Sequence, residues 1–302
     1  MFMAVDGCRV GNELSVCAQA IVNSFFLIGG SNIFLRLLSN VTSDDKTMLD
    51  GRTFVSNFLD KGISFASINY RKTTDSANQL PIPVHDAARA VRFLKSRSKE
   101  WNIDRDRVAL AGFSAGACTI MWMTFTQDLA NPDAEDPIDR ESTRVVAAAV
   151  LSGQAFIDPS LMMQRIGPGA AKHPMLYSAV GEPNYESMMR HYDQHLPIFR
   201  QFSPLHHIER GGWGDLGPPP IYMMYGPMTP LPSTDPILAI HHPKFGVLMK
   251  EHCDRVDNAE CHLWIQGYPG YGAPPEEYPS AAEFLYDKLG VISTDSSKTE
   301  EY

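Results

Sequence analysis

Short, largely apolar strand-like runs alternate along this chain with segments in which apolar residues recur at helical spacing. The runs fall at residues 25–28, 64–70, 108–112, 145–151, 221–225 and 261–265, and each has the length and the β-branched, aromatic or small apolar content of a buried strand. Between them, Ala88, Val91, Phe93 and Leu94 mark a helix from residue 85 to about 101, begun after Pro81 and Pro83. Further helices are predicted over 115–126, 244–256 and 280–289. Strand followed by helix, repeated, is what a parallel sheet with crossover helices requires. The predicted class is therefore α/β, with a mostly parallel central sheet and helices on both faces.

Two stretches depart from this rhythm. Residues 127–143 are acidic and proline-containing, the pattern of a solvated loop. Residues 154–217 have the weakest periodicity and carry Met162, Met163, Met188 and Met189 together with His173, His191, His195, His206 and His207. They read as a mostly helical cover inserted over one end of the sheet. No repeat and no Gly/Ser-rich or Pro-rich linker divides the chain, so residues 1–302 are expected to form one domain, with 154–217 as a cap within it and 292–302 as a frayed polar tail.

Composition narrows the function classes. The chain is 44% hydrophobic and 20% charged, a folded profile rather than a disordered one. Its formal net charge of -9, with no basic block, makes nucleic acid and anionic membrane surfaces poor partners, and neither is expected. The five cysteines are irregularly spaced and read as incidental thiols, with no metal site and no cofactor expected. The apolar stretch 18–38 is interrupted by Asn23, Gly29, Gly30, Ser31, Asn32 and Arg36, which argues against membrane insertion, and no clean signal peptide precedes it. Cytoplasm is the default expectation.

Chemistry enters at Gly112-Phe113-Ser114-Ala115-Gly116, a G-x-S-x-G between a predicted strand and a predicted helix. In that setting the pattern is a nucleophile elbow: a strained turn displays the Ser114 hydroxyl at the carboxyl end of the sheet. The Ala115 amide then lies at a helix N-terminus, suited to donate to an oxyanion. Outside that context the same five residues would be an inert βα turn.

Around this motif the chain resembles the α/β-hydrolase fold family, specifically bacterial esterases and lipases of the hormone-sensitive-lipase and feruloyl-esterase-like branch. The resemblance rests on Gly62-Ile-Ser-Phe-Ala-Ser-Ile-Asn-Tyr-Arg71, Pro83-Val-His-Asp-Ala-Ala-Arg-Ala-Val-Arg-Phe-Leu94, Trp101-Asn-Ile-Asp-Arg-Asp-Arg-Val108, the elbow, and later Ser203-Pro-Leu-His-His207 and Pro218-Pro-Pro-Ile221. It covers about residues 25–290; residues 1–24 do not match. It implies a serine hydrolase acting on a small-molecule carboxylic ester, with a Ser, acid and His in that chain order.

Three departures qualify the resemblance. In place of a His-Gly-Gly oxyanion loop stands Ile28-Gly29-Gly30, whose Gly29 and Gly30 amides are still candidate donors beside that of Ala115. The acid position after the strand 221–225 has no carboxylate in Gly226-Pro-Met-Thr229, leaving Asp235 as the replacement. Where the family carries its base, after Pro269-Gly270, this chain has Tyr271-Gly-Ala-Pro-Pro275, and no histidine follows His262. A serine hydroxyl with no base is a poor nucleophile.

His241 and His242 offer a way out, because the loop after strand 221–225 reaches the carboxyl rim where Ser114 is displayed. The competing reading of the pair is structural, capping the helix that begins near Lys244. Two functions therefore stand side by side: an esterase using Ser114, Asp235 and His241 or His242, and a hydrolase-fold protein that has lost turnover and serves as a small-molecule binding or regulatory protein.

Overall fold

In the computed structural model, residues 32–38, 57–68, 70–73, 77–211, 213 and 217–291 are described. Their strands form a six-stranded, all-parallel sheet with strands β1 (Asn32–Leu38), β2 (Ile63–Ile68), β3 (Val108–Phe113), β4 (Ala147–Leu151), β5 (Ile221–Tyr225) and β6 (Cys261–Ile265). The spatial order is β2-β1-β3-β4-β5-β6. Five of these strands coincide closely with the apolar runs read from the sequence. The expected strand at 25–28 lies outside the described residues, and β1 falls instead where an interrupted apolar stretch masked it.

Strand alternation divides the core into two layers. Leu110, Ala148, Val150, Met223 and Leu263 face one layer, which includes the long helices α1 (Ile82–Ser96) and α3 (Ala115–Phe125). A short helix, α2 (Ser98–Trp101), separates α1 from β3. Ala109, Ala111, Ala147, Ala149 and Tyr222 face the other layer, where Phe58, Phe284, Leu285 and Leu289 pack. The small side chains on this face let the helix at 281–288 approach closely. Because α3 lies between the sheet and a second helical layer, it is apolar on nearly every side, from Gly116 to Phe125.

Among the described residues, the segment between β4 and β5 holds six short helices: α4 (Pro159–Arg165), α5 (Pro168–Ala171), α6 (Pro174–Ala179), α7 (Tyr185–Arg190), α8 (Tyr192–Gln201) and α9 (Pro204–Arg210). Proline opens α4, α5, α6 and α9, where its missing N–H costs nothing, and Asp158, His173 and Asn184 cap α4, α6 and α7 through their side chains. Helices of four to ten residues are too short to display a sustained apolar period, which explains the weak pattern in the sequence. After β5 come α10 (Pro236–Ile240) and α11 (Lys244–Cys253), and after β6 the last helix, α12 (Ala281–Lys288).

Two expectations change. The acidic segment 127–143 is anchored rather than simply solvated: Asp139 accepts from Arg89 of α1 at 2.9 Å and pairs with Arg92 at 3.1 Å. The cysteines are not all free thiols, because a disulfide joins Cys253, at the end of α11, to Cys261, at the start of β6. Both are buried, so spacing alone gave no sign that the fold returns one to the other. Among the described residues no helix is long and apolar enough to cross a membrane.

Candidate active site

Ser114 joins β3 to α3 with φ 54° and ψ -121°, a region that non-glycine residues enter only when the surroundings force them. The forcing groups are backbone: Ser114 N donates to Leu151 O of β4 at 3.0 Å, and Cys118 N donates back to Ser114 O at 2.9 Å as the first turn of α3. Beyond β4 the chain stays close, since a Cβ at Gly153 would stand 2.6 Å from Met121 Cε and 2.9 Å from Ala117 Cβ. Only glycine lets this turn lie against α3.

His241 Nε2 lies 2.7 Å from Ser114 Oγ. On the other side of the ring, Nδ1 lies 3.0 Å from Ile237 O, a carbonyl that can only accept. The proton therefore belongs on Nδ1, which leaves the Nε2 lone pair facing the serine hydroxyl. Phe113 stacks on the imidazole, with ring centroids 5.3 Å apart and planes 19° apart.

His241 is the C-cap of α10. That helix is held from both ends. Asp235 caps its start, its carboxylate accepting from Leu238 N at 2.8 Å. The fully buried Gln154, just past β4, donates from Nε2 to Ile240 O at 2.8 Å. Asp235, expected from the sequence to orient the base, is bonded here to the start of the helix. Its carboxylate caps the same short helix that ends at His241.

His242 points the opposite way and has no exposed surface. Its Nε2 donates to Thr229 O at 3.0 Å and its Nδ1 accepts from Lys244 N at 3.0 Å. Both ring nitrogens serve the backbone, and burial pushes its pKa below the ordinary histidine value. Of the adjacent pair, one histidine meets the serine and its neighbour holds the loop.

The Ala115 N–H lies in the first turn of α3, among the amides with no partner inside the helix. Gly29 and Gly30 lie outside the described residues. The strand that follows them starts at Asn32, paired with Ile63 at the amino end of β2, while Leu38 pairs with Phe113 beside the elbow. The register sets Leu38, rather than Asn32, at the serine's end of the sheet.

Beside Ala115 opens a cavity of about 300 Å³. Its walls are Val84 of α1, Cys118 and Trp122 of α3, Leu176 and Ala179 of α6, and Phe202. His173 also lines it, and its pKa is lowered by burial and then by the neighbouring His241. The lining is mostly apolar, the character of a pocket for a small organic group. Sequence reading missed Gln154, the Ile237 carbonyl and α10. The pair Asp235-Pro236, a cap residue followed by proline, was the signal that a helix starts there.

A BD-FAE family model matches residues 38–226. Among solved structures, an acetyl ester-xyloside bifunctional hydrolase from Caldicellulosiruptor lactoaceticus superposes with a TM-score of 0.58 at 17% identity, covering 87% of this chain and 85% of that one. A truncated carbohydrate esterase from gut microbiota gives 0.58 at 17% identity over 87% of each chain. The thermophilic esterase Est2 of Thermogutta terrifontis gives 0.51 at 16% identity, over 89% of this chain and 81% of its own. At these identities the likeness is one of fold. Endo-1,4-beta-xylanase B of Butyrivibrio fibrisolvens is 32% identical over 71 residues, 22% of this chain, and the match spans only 11% of that protein.

Proposed function

The chain belongs to the BD-FAE family of α/β-hydrolase esterases, and from that premise we propose that it hydrolyses carboxylic esters with Ser114 as nucleophile and His241 as general base. The observation that carries the proposal is the 2.7 Å approach of His241 Nε2 to Ser114 Oγ. This is hydrogen-bond distance for the proton transfer that makes a serine nucleophilic.

Ser114 Oγ attacks the ester carbonyl carbon while its proton passes to His241 Nε2. The Nδ1 proton, turned to Ile237 O, holds the ring as it becomes imidazolium. The Ala115 N–H donates to the carbonyl oxygen as it gains negative charge, where a helix N-terminus favours an anion. Collapse of the tetrahedral intermediate expels the alcohol, protonated by His241, and leaves an acyl ester on Ser114. A water molecule, deprotonated by the same nitrogen, then releases the acid.

Asp235 and Gln154 are positioning residues in this scheme: one starts α10 and the other holds its last carbonyl. The cavity of about 300 Å³ suits short acyl groups, and the relatives named for acetyl ester and carbohydrate ester hydrolysis favour short-chain acyl esters of carbohydrates as substrates.

The test is hydrolysis of p-nitrophenyl acetate, butyrate and octanoate, and of an acetylated xylo-oligosaccharide, by the wild type and Ser114→Ala, with a fluorophosphonate label as a substrate-independent readout. Turnover and labelling that both require Ser114 are expected. Absence of any Ser114-dependent rate or label would remove the esterase reading.

A further inference from the structure

We propose that Glu182, His191 and His195 on the helical cover form a binding site for one divalent transition-metal ion of the zinc class, separate from Ser114. Glu182 Oε1 lies 2.8 Å from His191 Nδ1 and 2.8 Å from His195 Nε2. The three ligand atoms lie within 4.8 Å of one another, so one ion can reach all of them with small side-chain adjustments. Two imidazoles and one carboxylate make a donor set suited to zinc and its first-row neighbours rather than to calcium or magnesium.

Backbone places each donor. His191 is the N-cap of α8 and His195 lies four residues on, so the two rings share one face of the helix. This H-x-x-x-H pair has no helical glutamate within it. Its carboxylate arrives instead from the turn after α6, closed by Glu182 N donating to Tyr177 O at 2.8 Å with Gly181 at φ 77°. The second carboxylate oxygen is held by the Ser187 hydroxyl, an outer contact of the kind that orients a metal-binding carboxylate.

Access and protection are divided between the two histidines. The side chains of Glu182 and His195 are 12% and 15% exposed, whereas that of His191 is 45% exposed and leaves a side open for the ion and a completing water. Coordination uses the lone pair of a neutral imidazole, so each ring carries its one hydrogen on the nitrogen away from the ion. The ion would tie α8 to the turn that follows α6, and Met175, Leu176 and Ala179 of α6 wall the cavity beside Ala115. The site therefore stiffens a wall of the pocket without touching the serine. Its existence does not rest on the esterase reading.

The experiment uses the full chain free of any polyhistidine tag, stripped with a chelator and then dialysed against Zn²⁺ or Co²⁺. One zinc per chain by elemental analysis is expected, with a visible band for the Co²⁺ form. Tm should rise by about 5 °C at a hundredfold excess over Kd. His191→Ala/His195→Ala and Glu182→Gln should lose the stoichiometric ion and the Tm response. His252→Ala, which removes a histidine paired with Glu209 elsewhere, should keep both. Less than one bound ion in the wild type, or full binding in the double variant, overturns the proposal. Histidine nitrogen NMR of the unsubstituted chain gives a test that no folding defect can obscure. Zinc should shift His191 and His195, and shifts at other histidines with these two unmoved overturn it.

Discussion

His241 Nε2 stands 2.7 Å from Ser114 Oγ, although the two residues are 127 positions apart and the histidine follows β5 rather than the last strand. The carboxyl rim of a parallel sheet makes such substitution workable. Every loop that leaves a strand's carboxyl end emerges on the same side as the elbow, so a base can be delivered by more than one of them. What the donor loop must supply is rigidity. Here it comes from α10, capped by Asp235 and held at Ile240 O by Gln154.

His241→Ala and His242→Ala should therefore separate cleanly. Loss of the base should lower kcat by about 10³-fold or more with little change in unfolding midpoint. Loss of the buried neighbour removes two backbone hydrogen bonds and leaves a cavity, and should cost about 2–4 kcal/mol of stability. Urea unfolding and steady-state kinetics on both variants give the comparison. A His242→Ala chain as stable as the wild type but inactive would reverse the assignment.

Asp235 offers a second separation. If its part is to start α10, asparagine should replace it well, since Asn and Asp cap helices about equally, and Asp235→Asn should retain most of kcat. Asp235→Ala should lose about 1 kcal/mol of stability and a larger share of kcat as α10 frays. An Asp235→Asn enzyme slowed as severely as one lacking His241 would instead make the carboxylate's charge a direct partner of the base.

How much of this was legible in the sequence follows from length scale. The strands at 221–225 and 261–265 and the elbow at Ser114 were readable because local pattern determines them. The His241–Ser114 contact was readable only as a choice between two adjacent histidines, because the decision depends on which way α10 turns its last residue. Strand β1 was hidden because Asn32 and Arg36 interrupt its apolar run. The disulfide was invisible for the complementary reason, since Cys253 and Cys261 meet only once α11 has packed beside β6.

Gln154→Leu tests the far anchor of α10. Leucine keeps the buried volume but removes the 2.8 Å bond to Ile240 O, so the C-cap carrying His241 gains freedom. A fall in kcat of about tenfold with KM nearly unchanged is expected, since a misplaced base affects the chemical step more than substrate binding. A changed KM with an intact kcat would put Gln154 in the pocket instead.

Stability should also fall on the acid side for a reason that His242 makes specific. Burial first, and then the nearby Lys244 charge, hold its pKa below the ordinary value of 6.5. Its Nδ1 lone pair is in addition occupied by Lys244 N. The unfolded chain takes up a proton on this ring as pH drops through about 6.5, while the folded chain resists until a lower pH. Over that window the unfolded state binds more protons, so stability declines as pH falls. Half-buried His173 and His207, also lowered chiefly by burial, act in the same direction. Urea midpoints from about pH 8 to about pH 5 should fall for the wild type and fall less steeply for His242→Gln, whose side chain does not titrate. Parallel curves for the two chains across that range would mean that His242 takes up its proton at the same pH in the folded and unfolded chains, so that burial does not hold the ring neutral.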